Sequence, residues 1–68
     1  MLYYCKHRGL TIRIESSQWN ENTVFQWRVV DSSQTMLLES RIPFREFAEC
    51  YTDVTSAIDE FLGIDDVR

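Results

Sequence analysis

His7, Cys5 and Cys50 are the side chains of this sequence best suited to act as base, nucleophile or metal ligand, and their spacing supports none of these roles. His7 lies between Lys6 and Arg8, with no local motif to build a serine triad around it, so it reads as a solvated imidazole. A reactive thiolate at Cys5 or Cys50 needs a nearby cation or helix terminus to lower its pKa. Cys50 stands instead between Glu49 and Tyr51 in a carboxylate-rich stretch, which raises it. Together the three residues make an incomplete zinc set, because structural zinc takes four ligands with its cysteines paired two to four residues apart. The expectation is a non-enzymatic chain with no metal and no cofactor.

Charged and aromatic residues offer binding chemistry instead. Glu46, Glu49, Asp53, Ser56 and Glu60 recur at spacings of three and four, which places them on one face of a helix. Such a stripe reads either as a docking surface for a basic partner or as an ordinary solvated face. A magnesium site there would also rely on substrate phosphates. Arg13, Arg28 and Arg41 are expected on one face of a sheet, where with Thr11 and Gln26 they could touch phosphate or base edges. Glu15 and Glu39 share that face, so the alternative is a mixed charge surface that keeps the sheet soluble. Trp19 interrupts a polar loop, as an interface anchor or, in the expected reading, as a cap folded onto the end of the core. Leu37 points outward beside Glu39 and Arg41.

These residues must be positioned by short elements. Leu10 to Glu15 alternates apolar and polar with period two, so Leu10, Ile12 and Ile14 face inward on a strand. Gly9 allows a bend from a short lead-in strand around Leu2 to Tyr4. Ser16 to Asn22 reads as a turn region. A second strand at about 24–30 puts Phe25, Trp27 and Val29 on one face and Gln26 and Arg28 on the other. Asp31 to Gln34 then makes a hairpin loop. The third strand, about 35–42, turns Met36 and Leu38 inward.

After Pro43, placed in a first helical turn, the period changes. Phe44, Phe47, Ala48, Tyr51, Val54, Ile58, Phe61 and Leu62 recur at three and four, marking an amphipathic helix over about 44–62. Thr52 to Thr55 has poor helix propensity, so this stretch is either one helix or two. Gly63 suits a left-handed C-terminal cap, and residues 64–68 read as a frayed acidic tail.

The chain has 68 residues, 44% of them apolar and 26% charged, which allows one small domain with a thin core. Two cysteines cannot staple a disulfide scaffold, and no apolar run nears the roughly 20 residues of a membrane helix. The amino terminus lacks the longer apolar stretch of a secretory signal, so a cytoplasmic protein with reduced thiols is expected. The net charge of −4 divides unevenly. Residues 1–45 carry six bases against four acids, whereas residues 46–68 carry seven acids against Arg68 alone. Overall acidity opposes generic binding to nucleic acid or an anionic membrane.

The stretch Phe25-Gln26-Trp27-Arg28-Val29-Val30, followed by Met36-Leu37-Leu38-Glu39-Ser40, resembles the strand–turn–strand unit of the YegP-like domains of unknown function. It covers under half of the chain, and Ser32-Ser33-Gln34 stands where that family has an Asn-Gly type of turn. The resemblance implies a small sheet followed by a helix and no particular activity. A sheet-then-helix order is also similar to that of plant DNA-binding domains that read a groove with arginines and tryptophans, which would involve Arg13, Arg28 and Trp27. The expected fold is α+β: an antiparallel meander of three or four strands, then one long amphipathic helix packed on one face. The expected role is a protein-interaction module, acting on a protein partner or as a homodimer. The alternative is nucleic-acid binding through the arginine-bearing open face.

Overall fold

The computed structural model describes residues 2–64, so most of the expected tail lies outside the described residues. Four strands, β1 (Leu2–His7), β2 (Leu10–Trp19), β3 (Asn22–Val30) and β4 (Met36–Glu39), form one antiparallel sheet in that spatial order. One helix, α1 (Phe47–Phe61), packs on one face. The expected α+β architecture is therefore present, with the lead-in segment extended into a full edge strand.

Two tight turns set the first three strands. Arg8 and Gly9 have φ of 53° and 84°, and Asn20 and Glu21 have φ of 52° and 65°. Two consecutive positive φ values mark a two-residue I′ turn, whose twist matches that of the flanking strands. The turn between β2 and β3 is thus only Asn20-Glu21, and Ser16 to Trp19, expected as loop, continue β2. Alternation then places Ile12 opposite Val29 and Ile14 opposite Trp27 on the inner face, all four buried.

The third hairpin departs further from expectation. Asp31 Oδ1 accepts hydrogen bonds from the Ser33 and Thr35 N–H groups at 2.8 and 3.0 Å, organising the loop. Val29 pairs with Leu38 but Val30 with Met36, so Leu37 is the extra residue of a β-bulge. The bulge keeps Leu38 packed on the core and turns Met36, expected inside, to the open face at 52% exposure. Leu37 is itself half-buried and not fully exposed.

β4 ends at Glu39, short of the expected 42. The Ser40 N–H donates to the Trp27 carbonyl at 3.0 Å, and the Trp27 N–H donates to Ser40 Oγ at 3.2 Å. Residues 41–43 then leave the sheet, and Phe44 rejoins it by exchanging backbone hydrogen bonds with Phe25 at 2.7 and 2.8 Å. Pro43 therefore belongs to this excursion and not to a first helical turn.

α1 starts after Glu46, whose extended backbone makes it the N-cap without a side-chain capping bond. The helix is continuous through its threonines, where Thr55 Oγ1 donates to the Tyr51 and Thr52 carbonyls. Its end matches the sequence reading: Gly63 has φ of 74°, the Gly63 N–H donates to Glu60 O, and the Ile64 N–H donates to Asp59 O. That pair of bonds is a Schellman cap. The buried stripe is Cys50, Val54 and Ile58, one residue per turn, whereas Ala48, Tyr51, Phe61 and Leu62 are exposed. Phe47 extends the core sideways, edge-on to Tyr3 at 5.0 Å and to Phe25 at 5.9 Å. The helix lies mainly over β3 and less over β2. The other sheet face is left uncovered by it.

Candidate functional site

On that uncovered face one cross-strand row runs through all four strands, with Tyr4, Arg13, Arg28 and Glu39 in register. The same alternation that turns Ile12, Ile14, Trp27 and Val29 inward turns the two arginines outward. Like charges directly opposite each other destabilise a sheet. Arg28 is relieved in part by Glu39, its Nε lying 3.8 Å from Oε1 with both side chains more than half exposed. Among the described residues Arg13 has no such ion pair. Its Nε is shut off from solvent and has no hydrogen-bond partner among the described residues. The pair lines a polar cavity of about 50 Å³ with Glu15, Gln26, Glu39 and Ser40.

Arg41 does not join them. The chain leaves the sheet after Ser40, so Arg41 and Ile42 line a groove of about 710 Å³ that also includes Leu38, Ala57, Glu60 and Phe61. The expected trio of arginines is a pair. Trp19 is corrected as well: it ends β2 on the open face at 62% exposure, beside Val24 and Pro43, and does not cap the core.

Among the acidic residues, Glu46, Glu49 and Glu60 are exposed on α1 or at its N-cap. Asp53 has a different task. Its Oδ2 accepts a 2.9 Å hydrogen bond from Trp27 Nε1–H, joining the helix to the buried indole of β3. A single outward acidic stripe is thus interrupted by a residue that holds the helix to the sheet.

His7 is not a free imidazole. Its Nε2 lies 2.9 Å from Asp59 Oδ1, and Arg8 Nε donates to the same oxygen at 2.7 Å. The β1–β2 turn is thereby tied to the last turn of α1. Arg8 first, then His7, holds the Asp59 carboxyl below its ordinary value of 3.8. A depressed carboxyl contributes stability that is complete above its unfolded-state value and is lost as the pH falls through the folded-state value. Asp59→Asn is therefore expected to lower Tm at about pH 7 and to matter less toward about pH 2, as wild type loses the same contribution. Thermal melts of both proteins across that range check it; an equal deficit at both ends would exclude the linkage.

Cys5 and Cys50 are free thiols. Burial first, and Asp53 second, pushes the Cys50 thiol up to about 11, so it is an inert core residue. Tyr3, beside Cys5 on the inner face of β1, has its phenol raised above 10.0, chiefly by Cys5.

β1 is the outer strand of the sheet. His7 and Leu10 close a two-residue turn and so exchange both backbone hydrogen bonds, as do Cys5 with Ile12 and Tyr3 with Ile14. Leu2, Tyr4 and Lys6 accordingly direct their N–H and C=O groups away from β2. Leu2 is 44% and Tyr4 58% exposed.

No family model, curated protein or solved structure matches this chain. The surfaces must be interpreted from their own chemistry. Tyr4, Ser40 and Asp59 were not singled out by sequence reasoning. The alternation of Tyr4 with Cys5 and Lys6 was the one available signal for the first; the other two depend on contacts with Trp27, His7 and Arg8 that spacing does not encode.

Proposed function

We propose that this chain is a non-enzymatic protein-interaction module that pairs with a second copy of itself through the free edge of β1. The observation that carries this reading is the row of outward backbone groups at Leu2, Tyr4 and Lys6, flanked by exposed apolar side chains. An uncovered edge of this kind is a template for another strand. β1 contains no proline, and its pairing with β2 is regular over all six residues. Self-pairing about a two-fold axis at Tyr4 sets Tyr4 against its equivalent and Leu2 against Lys6 of the second copy. That register uses all three outward residues on each strand and brings no lysine opposite another. A thin core also gains from added burial on association.

Tyr4→Pro tests this. The Tyr4 N–H faces away from β2, so proline at this edge position removes a donor from the proposed interface while leaving the β1–β2 bonds in place. Sedimentation equilibrium of wild type is expected to show a mass rising from one chain toward two with concentration. The variant is expected to stay at one chain with an unchanged far-UV spectrum. A wild type that remains a single chain throughout, or a variant that associates equally well, would overturn the reading.

A further inference from the structure

We infer that the flank of α1 turned toward β4 is a docking trough for a cationic amphipathic helix of another protein, on the opposite side of the sheet from the β1 edge. The fold leaves this flank without a neighbour. α1 lies mainly over β3, β4 is only four residues long, and residues 41–43 leave the sheet before Phe44 returns to it. Between the helix and that excursion lies the groove of about 710 Å³. A second depression of about 380 Å³ continues it toward the start of the helix, with Phe44 and Asp53 lining both. Together they follow α1 from Ala48 to Phe61, a length of about 20 Å at a rise of about 1.5 Å per residue.

The walls select the occupant. Ile42 on the excursion and Phe61 on the helix are 59% and 50% exposed, and they share the groove with half-buried Leu38, Phe44 and Ala57. Single exposed apolar residues are ordinary, whereas an apolar strip lining a concave surface marks a place where a partner buries its own. Among the charged lining residues, Glu39, Glu49, Asp53 and Glu60 stand against Arg41 alone. Even with Arg28 set against Glu39 and Arg41 against Glu60, Glu49 and Asp53 remain in excess, and α1 itself contains no Lys, Arg or His to offset them. The Trp27 indole that Asp53 binds is a neutral donor and leaves that charge in place. A segment whose apolar face is bordered by Lys or Arg matches both features. Its conformation follows from the wall it lies along. The backbone groups of α1 are used within the helix, so an extended segment finds no ladder there, whereas a helix satisfies its own N–H and C=O groups.

The test is a titration of the isotopically labelled protein with a synthetic peptide of about 14 residues, its leucines spaced by three and four and its other positions lysine or alanine. Backbone amide resonances provide the readout. Saturable shifts are expected at Leu38, Ile42, Ala57 and Phe61, with those of β1 unmoved. Ile42→Ser, at an exposed position, is expected to weaken binding by at least about tenfold through lost apolar contact. Glu49→Lys, also exposed, is expected to weaken it by at least about threefold and to flatten its salt dependence. Shifts that do not saturate or that spread over the whole sheet, equal binding of a scrambled peptide of the same composition, or equal binding of a peptide with glutamate in place of lysine would each overturn the assignment. So would an unchanged affinity in either folded variant. Shifts at the same residues that grow with protein concentration before any peptide is added would replace the partner with a second copy of this chain.

Discussion

Trp27→Ala is expected to leave the chain unfolded at 25 °C. Trp27 is 4% exposed at the centre of β3, opposite Ile14, and its indole N–H donates to Asp53 on α1. Truncating a buried tryptophan to alanine costs about 3–5 kcal/mol. A domain of this length has a total stability of roughly 3–10 kcal/mol, so the loss is comparable to the whole. The backbone at the same residue is tied to Ser40 on both sides, so a collapse there also loosens the end of β4. Trp27→Phe separates the contributions. It retains most of the apolar contact and removes only the donor to Asp53, which should cost about 1 kcal/mol because that carboxylate can turn to water. Urea unfolding followed by far-UV circular dichroism checks both. A cooperative transition for Trp27→Ala within about 1 kcal/mol of wild type would show that the indole does not anchor the core.

Trp27 also shows how far the sequence carries. Its inward orientation, with those of Ile12, Ile14 and Val29, follows from period-two alternation, because β2 and β3 each bury one face. The helix was equally legible from its three-and-four spacing, and Gly63 marked its end. Its bond to Asp53 was not legible, since pairing across 26 residues depends on how the helix is rotated over the sheet. Rotation also explains the misplaced stripe. The apolar residues of α1 cover more than half of its circumference, and periodicity alone does not separate buried Val54 and Ile58 from exposed Tyr51 and Leu62. Cys50 was legible as an unreactive structural or incidental thiol, but its place in the buried stripe was not, because Glu49 and Tyr51 on either side of it are exposed. Asn20-Glu21 lacks the glycine that usually announces a two-residue turn, so the end of β2, and Trp19 with it, read as loop. The bulge at Leu37 moved Met36 to the wrong face by the same logic: one inserted residue reverses the alternation that precedes it. For the open face, Arg13 and Arg28 were found by alternation, whereas Arg41 was misplaced because nothing in 35–42 signals that the strand stops at Glu39.

The second large effect concerns the attachment of the helix. Ile58→Ala is expected to cost about 2–5 kcal/mol, because the side chain is fully buried and only Cys50 and Val54 accompany it in the buried stripe of α1. The loss falls at the end of the helix also held by Asp59 to His7 and Arg8, so opening should start there. Cys50 supplies an internal reporter. Its thiol is buried and pushed up to about 11, so alkylation at about pH 8 requires the helix to lift. Each 1.4 kcal/mol lost from the docked state raises the open population about tenfold. Ile58→Ala should therefore accelerate Cys50 modification by at least about tenfold, while the exposed substitution Ser56→Ala should leave the rate near that of wild type. An unaccelerated rate in Ile58→Ala would mean that Cys50 is exposed by some motion other than release of this helix.

The bulge at Leu37 has a consequence for the size of any assembly. β4 is four residues long, bulged against β3, and followed by an excursion that returns to the sheet at Phe44. That side of the sheet offers no straight strand on which another could build, whereas β1 does. A ribbon that grows from both sides propagates without limit and ends as a fibre; one that grows from a single side stops when two such sides have met. If β1 pairs with a second copy as proposed, the extra residue in β4 makes that strand addition self-terminating and holds the assembly to a closed pair.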